Sequence, residues 1–143
     1  MPTFLTRRVT FEAAHRYWRA DWSVDENKRV FGSWATPEFH GHEYACDVTV
    51  TGEVDRVTGM LVNLGWLDRV LQSEVRDRFD RREINVDVAE FSDGELTPTC
   101  ENLARFIAEC VQQALGQAAR VTEVRVAEDE TISATHRLDG GAA

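Results

Sequence analysis

The sequence is poor in the residues that would staple or anchor it. It has three cysteines in 143 residues. They are odd in number and form no CxxC pair, so neither a disulfide framework nor a thiolate zinc knuckle is indicated. Cys46 and Cys110 fall on apolar faces and read as small core residues, while Cys100, beside a helix start, is ambiguous. Basic residues are also scarce: 16 Lys and Arg stand against 25 Asp and Glu, a formal net charge of −9. That balance repels phosphate backbones and anionic bilayers, so nucleic acid and membrane are not expected partners. No apolar run approaches the ~18 residues of a membrane span, and the opening MPTFLTRRVTF lacks the long apolar core of a signal peptide, so a cytoplasmic location is expected. Repeats and low-complexity segments are absent too. What remains is one ordinary domain spanning residues 1–143, long enough to bury a core and too short for two.

Within that domain the hydrophobic pattern changes period. From Phe4 to His15 the odd positions Val9, Phe11, Ala13 and His15 share one side of a strand, with Thr10 and Glu12 on the other. Residues 43–54 repeat the alternation, Tyr44, Cys46, Val48 and Val50 against Glu43, Asp47, Thr49 and Thr51. After Asn63, Leu67, Val70, Leu71, Val75 and Phe79 recur at helical spacing. A second helix carries Leu103, Phe106, Ile107, Cys110, Val111, Ala114 and Leu115, with Gly116 as its stop; the preceding TPT offers hydroxyl caps and a proline suited to a first turn. VTEVRVAEDE and ISATHRL read as two more strands. The expected class is α+β, a four-stranded antiparallel sheet with two helices on one face. Residues 16–39 fit none of these patterns and form an aromatic- and charge-rich insertion of the kind that often carries binding residues.

The chain has only four histidines. His40 and His42 are two apart, so on an extended strand they project from one face, and His15 lies on the apolar face of its own strand. If those strands are neighbours, three imidazoles converge, the ligand set of a zinc ion with an open fourth position. A metal would also satisfy ring nitrogens that an apolar face leaves without partners. His136, ending the last strand, reads as a surface or interface residue. Glu128 has the strand parity of Val124 and Val126, which puts a carboxylate on an apolar face. Such a group needs a partner: either the guanidine-like edge of a ligand or an arginine such as Arg125 or Arg137. Glu101 stands where a helix's first turn favours an acid with no ligand at all.

FEAAHRY at 11–17, HGHEY at 40–44, TGMLVNL at 58–64, FDRREIN at 79–85, TCEN at 99–102 and VAED at 126–129 resemble, in order, the 6-pyruvoyl-tetrahydropterin synthase family, which includes the bacterial 6-carboxytetrahydropterin synthases. The resemblance spans about residues 4–136 and runs without a gap from His15 to His42. It implies the T-fold, in which the sheets of several subunits join into a β-barrel with active sites between subunits, and so a homo-oligomer, trimer or hexamer. It implies zinc on His15, His40 and His42, and a pterin ring anchored by Glu128 with help from Thr99 and Glu101.

Two departures from the family pattern stand out. Its loop before HGH carries a proton-abstracting cysteine; here FGSWATPEFHGH has none, and Trp34 stands at that place. Its aspartate-histidine pair is here FDRRE, with Asp80 kept and Arg81 in place of the histidine. An indole is no base and an arginine stays protonated, so the family's proton shuttle cannot run unchanged. The sequence therefore points to a repurposed zinc site acting on a small molecule, a carbonyl-bearing substrate with an amine or heteroaromatic ring, by condensation and cyclisation of Pictet-Spengler type or by aldol-type cleavage. Glu128 or Asp80 would handle the proton, Trp34 would stack on the ring, and Arg81 and Arg16 would take an anionic group, with Lys28 and Arg29 nearby. The alternatives are a 6-pyruvoyl- or 6-carboxytetrahydropterin synthase acting on dihydroneopterin triphosphate, and a non-catalytic, zinc-containing ligand-binding subunit.

Overall fold

The computed structural model describes residues 1–92 and 94–138. Its frame is a pair of 13-residue strands, β1 (Thr3–His15) and β2 (His40–Gly52), joined antiparallel without interruption from Thr3 opposite Gly52 to His15 opposite His40. The alternation predicted for both is observed: Phe11, Ala13 and His15 are buried on the same face as Tyr44, Cys46, Val48 and Val50. Phe11 stacks on Tyr44 at 4.9 Å and on Phe79 at 5.4 Å.

On the other side of β2 lies β4 (Arg120–Ala127), and outside it β5 (Ser133–Arg137), both antiparallel. The prediction of four strands falls short by one. A two-residue strand, β3 (Arg82–Glu83), pairs in parallel with Ala13 and Ala14 of β1, giving the order β3-β1-β2-β4-β5. Two residues are too few for any period-2 signal, which is why the sequence hides them.

Helices cover the apolar face. Asn63 caps α2 (Leu64–Leu71), its side chain accepting from the Trp66 N–H at 2.9 Å. The helix widens into a π turn over Gln72–Arg76 and closes as α3 (Asp77–Phe79), burying Leu67, Val70, Leu71, Val75 and Phe79 as the spacing predicts. A short helix, α4 (Ile84–Asp87), follows β3. The long helix α5 (Cys100–Leu115) is capped by Thr99, which accepts from the Asn102 N–H at 3.1 Å, and stops at Gly116 at φ 57°. Its face of Leu103, Ala104, Ile107, Ala108, Val111 and Leu115 is buried in the core shared with α2 and the sheet. Pro98 sits before the cap, not in the first turn as predicted, and so presents its carbonyl inward.

The unpatterned residues 16–39 contain a helix after all, α1 (Val24–Phe31), capped by Ser23 with Asp25 and Glu26 in its first turn. No apolar stripe announces it because two buried asparagines tie this region down. Asn27 accepts from the Arg19 N–H at 2.7 Å and donates to Arg19 O and Ser23 O. Asn85 accepts from the Arg16 N–H at 2.9 Å and donates to Arg16 O. Side-chain to backbone bonds of this kind have no period to read.

Candidate metal and substrate site

The β1–β2 register builds the site. Directly opposite residues on one face have Cβ atoms about 5 Å apart, so pairing His15 with His40 brings two imidazoles together, and His42 lies two residues on along the same face. The ring centroids are 4.6 Å apart for His15 and His40, 5.1 Å for His15 and His42, and 5.0 Å for His40 and His42. β4 supplies the fourth group. Its last residue, Ala127, pairs with Ala45, and the next step of the chain carries Glu128 toward Tyr44 and His42. Glu128 thus lies one residue beyond the strand and keeps the inward direction that its parity predicts.

Neither arginine considered as a partner for Glu128 takes it. Arg125 faces Asp47 at 3.7 Å and Arg137 faces Glu123 at 3.6 Å. Glu128 Oε2 lies instead 2.7 Å from His42 Nε2 and 3.5 Å from His15 Nε2. The shorter distance is that of a hydrogen bond, yet the orientations make none, and both Nε2 atoms are buried with no hydrogen-bond partner among the described residues. Each such orphan nitrogen costs about 1–3 kcal/mol. Donor atoms that crowd without bonding one another are arranged around a common point.

Three further observations fit a metal there. One donor atom from each of His15, His40, His42 and Glu128 lies within 4.8 Å of the others. His15 Nδ1 is 2.7 Å from the Pro98 carbonyl; a carbonyl only accepts, so Nδ1 carries the proton and Nε2 presents its lone pair, as a metal-binding histidine requires. Burial pushes His15 and His40 below the ordinary imidazole pKa, aided for His40 by the neighbouring His42. Both are therefore neutral at neutral pH, the ligating form.

Groups the sequence left in the background line the same space. The Tyr17 hydroxyl is 3.5 Å from Glu128 Oε1, with its ring 5.2 Å from His15 and 6.4 Å from His40. Tyr17 is two residues past His15, so its parity was a usable signal. The ambiguous Cys100 is buried and donates its thiol toward Glu128 Oε1 at 3.8 Å; burial and that carboxylate push it up to about 12, which makes it a poor nucleophile. The Tyr44 hydroxyl is fully buried with no hydrogen-bond partner among the described residues, its ring 5.6 Å from His42.

Other predicted site residues lie elsewhere. Thr99 is the cap of α5 beside Cys100, and Glu101 is exposed in the first turn, where an acid is stabilising unaided. Trp34 is 70% exposed, its ring 6.5 Å from that of Tyr17, which itself lies 6.4 Å from His40. Arg16 is used by the loop, donating to Pro37 O at 2.9 Å with its guanidinium over the Phe39 ring. Asp80 accepts from the Glu12 N–H at 2.9 Å, which holds its carboxyl below the usual range, and faces Arg76 at 3.3 Å. Arg81, at φ 61° in the left-handed region, donates its N–H to Glu12 O. Arg81 borders an open recess of about 420 Å³ with Glu12, Ala14, Gly41 and Glu43, of the parity opposite to the histidines, and with Ala13 and His42, which share theirs. Asp80 has no hydrogen bond or ion pair to the imidazoles among the described residues, while Arg81 shares the edge of that recess with His42.

A mostly antiparallel sheet backed by helices on one face, ending in three imidazoles and a carboxylate that could hold a metal ion, defines a T-fold protein. The family model described as 6-pyruvoyl tetrahydropterin synthase matches residues 4–139. The 6-pyruvoyl tetrahydrobiopterin synthase of Poecilia reticulata is 35% identical over 134 residues, 94% of this chain and 89% of that protein. That of Homo sapiens is 36% identical over 111 residues, 78% and 75% of the two. The structure of the Caenorhabditis elegans 6-pyruvoyl tetrahydropterin synthase matches at a TM-score of 0.85 and 28% identity over 97% of each chain. The chain belongs to the 6-pyruvoyl tetrahydropterin synthase family.

Proposed function

We propose that the protein is a zinc-dependent lyase of 6-pyruvoyl-tetrahydropterin synthase type, acting on dihydroneopterin triphosphate. The observation that carries this is the cluster of His15, His40, His42 and Glu128 in a chain whose relatives at 35–36% identity are named 6-pyruvoyl tetrahydrobiopterin synthases. Three imidazoles and an oxygen donor suit zinc, which when bound polarises a carbonyl or hydroxyl on the substrate's side chain. The chain's own groups do the rest. Glu128, buried and without a guanidinium partner, accepts two hydrogen bonds from the amino-pyrimidine edge of the ring. Trp34, beside Tyr17, is an exposed indole that can cover the ring.

The proton-handling set differs from the family pattern. With Trp34 in the loop, Asp80 bound to the Glu12 N–H at the edge of β1 and Arg81 on the recess beside Glu43, service by Asp80 or Arg81 would come from a neighbouring copy in a homo-oligomer. Two open edges support such an assembly: among the described residues β1 is unpaired over 3–11 on the side away from β2, and β5 on the side away from β4. There Asp80 is held ionised by the Glu12 N–H and can accept a hydrogen bond from the substrate, and Arg81 is fit to meet the triphosphate. Condensation of Pictet-Spengler type, the first expectation from the sequence, has no counterpart among the relatives, and the pterin reaction accounts for more of the chain.

The test is incubation of zinc-loaded protein with dihydroneopterin triphosphate, following pterin absorbance and inorganic triphosphate release. Turnover that is lost on chelation and restored by zinc is expected; no change in either signal overturns the assignment.

A further inference from the structure

The two oxygens of Glu128 face different surroundings. Oε2 points among the imidazoles, 2.7 Å from His42 Nε2 and 3.5 Å from His15 Nε2. Oε1 has other neighbours, 3.5 Å from the Tyr17 hydroxyl and 3.8 Å from Cys100 Sγ. The side chain is 7% exposed, so it has little water to lean on. Two donors held by one tetrahedral zinc at about 2.1 Å lie roughly 3.4 Å apart, and the Oε2 distances fall on either side of that value. Oε2 therefore stands where a ligand atom would stand, and the ring nitrogens next to it have no other partner.

We infer that Glu128 Oε2 is itself the fourth ligand of the ion held by His15, His40 and His42 in the substrate-free protein, and that it leaves the ion to receive the amine-bearing ring edge of the substrate. The inference rests on the zinc and ring-anchoring roles proposed above. It adds that they are one event: a coordination position opens only when the ring claims the carboxylate. Tyr17 and Cys100 keep hold of Oε1 and give the carboxylate a hinge on which to turn. Tyr17 is thus a positioning residue, acting through Glu128. The exchange also closes the ion to water and stray carboxylates while no substrate is present.

The test uses full-length protein with cobalt(II) in place of zinc, because cobalt's visible bands report coordination number. Glu128→Gln should bind cobalt at least ~10-fold more weakly than wild type, since losing even a supporting contact costs 10–100-fold, and its bands should differ from those of wild type. Adding pterin, the bare ring with no side chain to reach the ion, should shift the wild-type bands and leave those of Glu128→Gln unmoved. Tyr17→Phe should keep the wild-type bands but require a different pterin concentration for the shift. Wild type and Glu128→Gln sharing both bands and affinity within twofold would overturn the inference and leave the zinc site standing. Failure of wild type to take up cobalt or zinc would overturn both. Should the Gln variant fold poorly, the pterin titration of wild type alone decides, and unchanged bands at saturating pterin sink the proposal.

Discussion

The two faces of one sheet treat their polar groups in opposite ways. On the face away from the helices, Arg8 grips Asp47 through two bonds of 2.7 and 3.0 Å, the Thr6 and Thr49 hydroxyls meet at 2.7 Å, and Thr122 donates to Thr49 O. At the end of the apolar face, His15 Nε2, His42 Nε2 and the Tyr44 hydroxyl are buried with no hydrogen-bond partner among the described residues. The outer groups complete one another and so carry structure. The inner ones are left incomplete by the fold, and a buried polar group without a partner signals a ligand more strongly than any count of charges does.

The comparison breaks most sharply at the cluster itself. His15→Ala removes the most buried ligand and should lower zinc affinity by more than about a hundredfold, beyond the loss seen for supporting residues, with turnover abolished; equilibrium dialysis checks it. Acid should come next. Burial holds the imidazoles of His15 and His40 below their ordinary 6.5, so the unfolded chain takes up protons first. Their neutral burial is consistent with folding above that value and opposes it as pH falls through and below 6.5. The melting temperature of metal-free protein should therefore drop between pH 7.5 and pH 5, and a flat profile would count against it.

Smaller changes sharpen the contrast. Tyr44→Phe deletes an unsatisfied hydroxyl, so the ligand-free protein should be unchanged or stabilised by up to about 1 kcal/mol, while turnover falls if the hydroxyl meets ligand. Thr49→Val on the outer face should do the reverse, lowering the melting temperature and leaving zinc affinity intact; paired thermal melts and zinc titrations compare the two. The smallest structural effect belongs to Trp34→Ala: at 70% exposure its loss should not move the melting temperature, and it should raise KM for the pterin substrate more than it lowers kcat.

How much of this was legible depended on period. β1, β2, α5 and the helix after Asn63 announce themselves through repeats of two and 3.6 residues, and with them the three imidazoles on one face. The helix α1 was hidden because Asn27 and Asn85 hold that region through backbone bonds. Cys100 could be placed at a helix start, but its approach to Glu128 depends on how α5 meets the end of β4, which is tertiary. Asp80 and Arg81 were found by resemblance, and only the folded chain shows that Asp80 binds the Glu12 N–H at the edge of β1 and that Arg81 borders a recess beside Glu43.

The uninterrupted ladder between β1 and β2 has a last consequence. Sliding one strand past the other by a single residue would turn one member of each histidine pairing outward. A misaligned molecule could still bury much of its oil, yet it could not collect a cation. If the proposed ion binds, its uptake would report the register, and chains that have zipped out of frame would be told apart by what they fail to pick up.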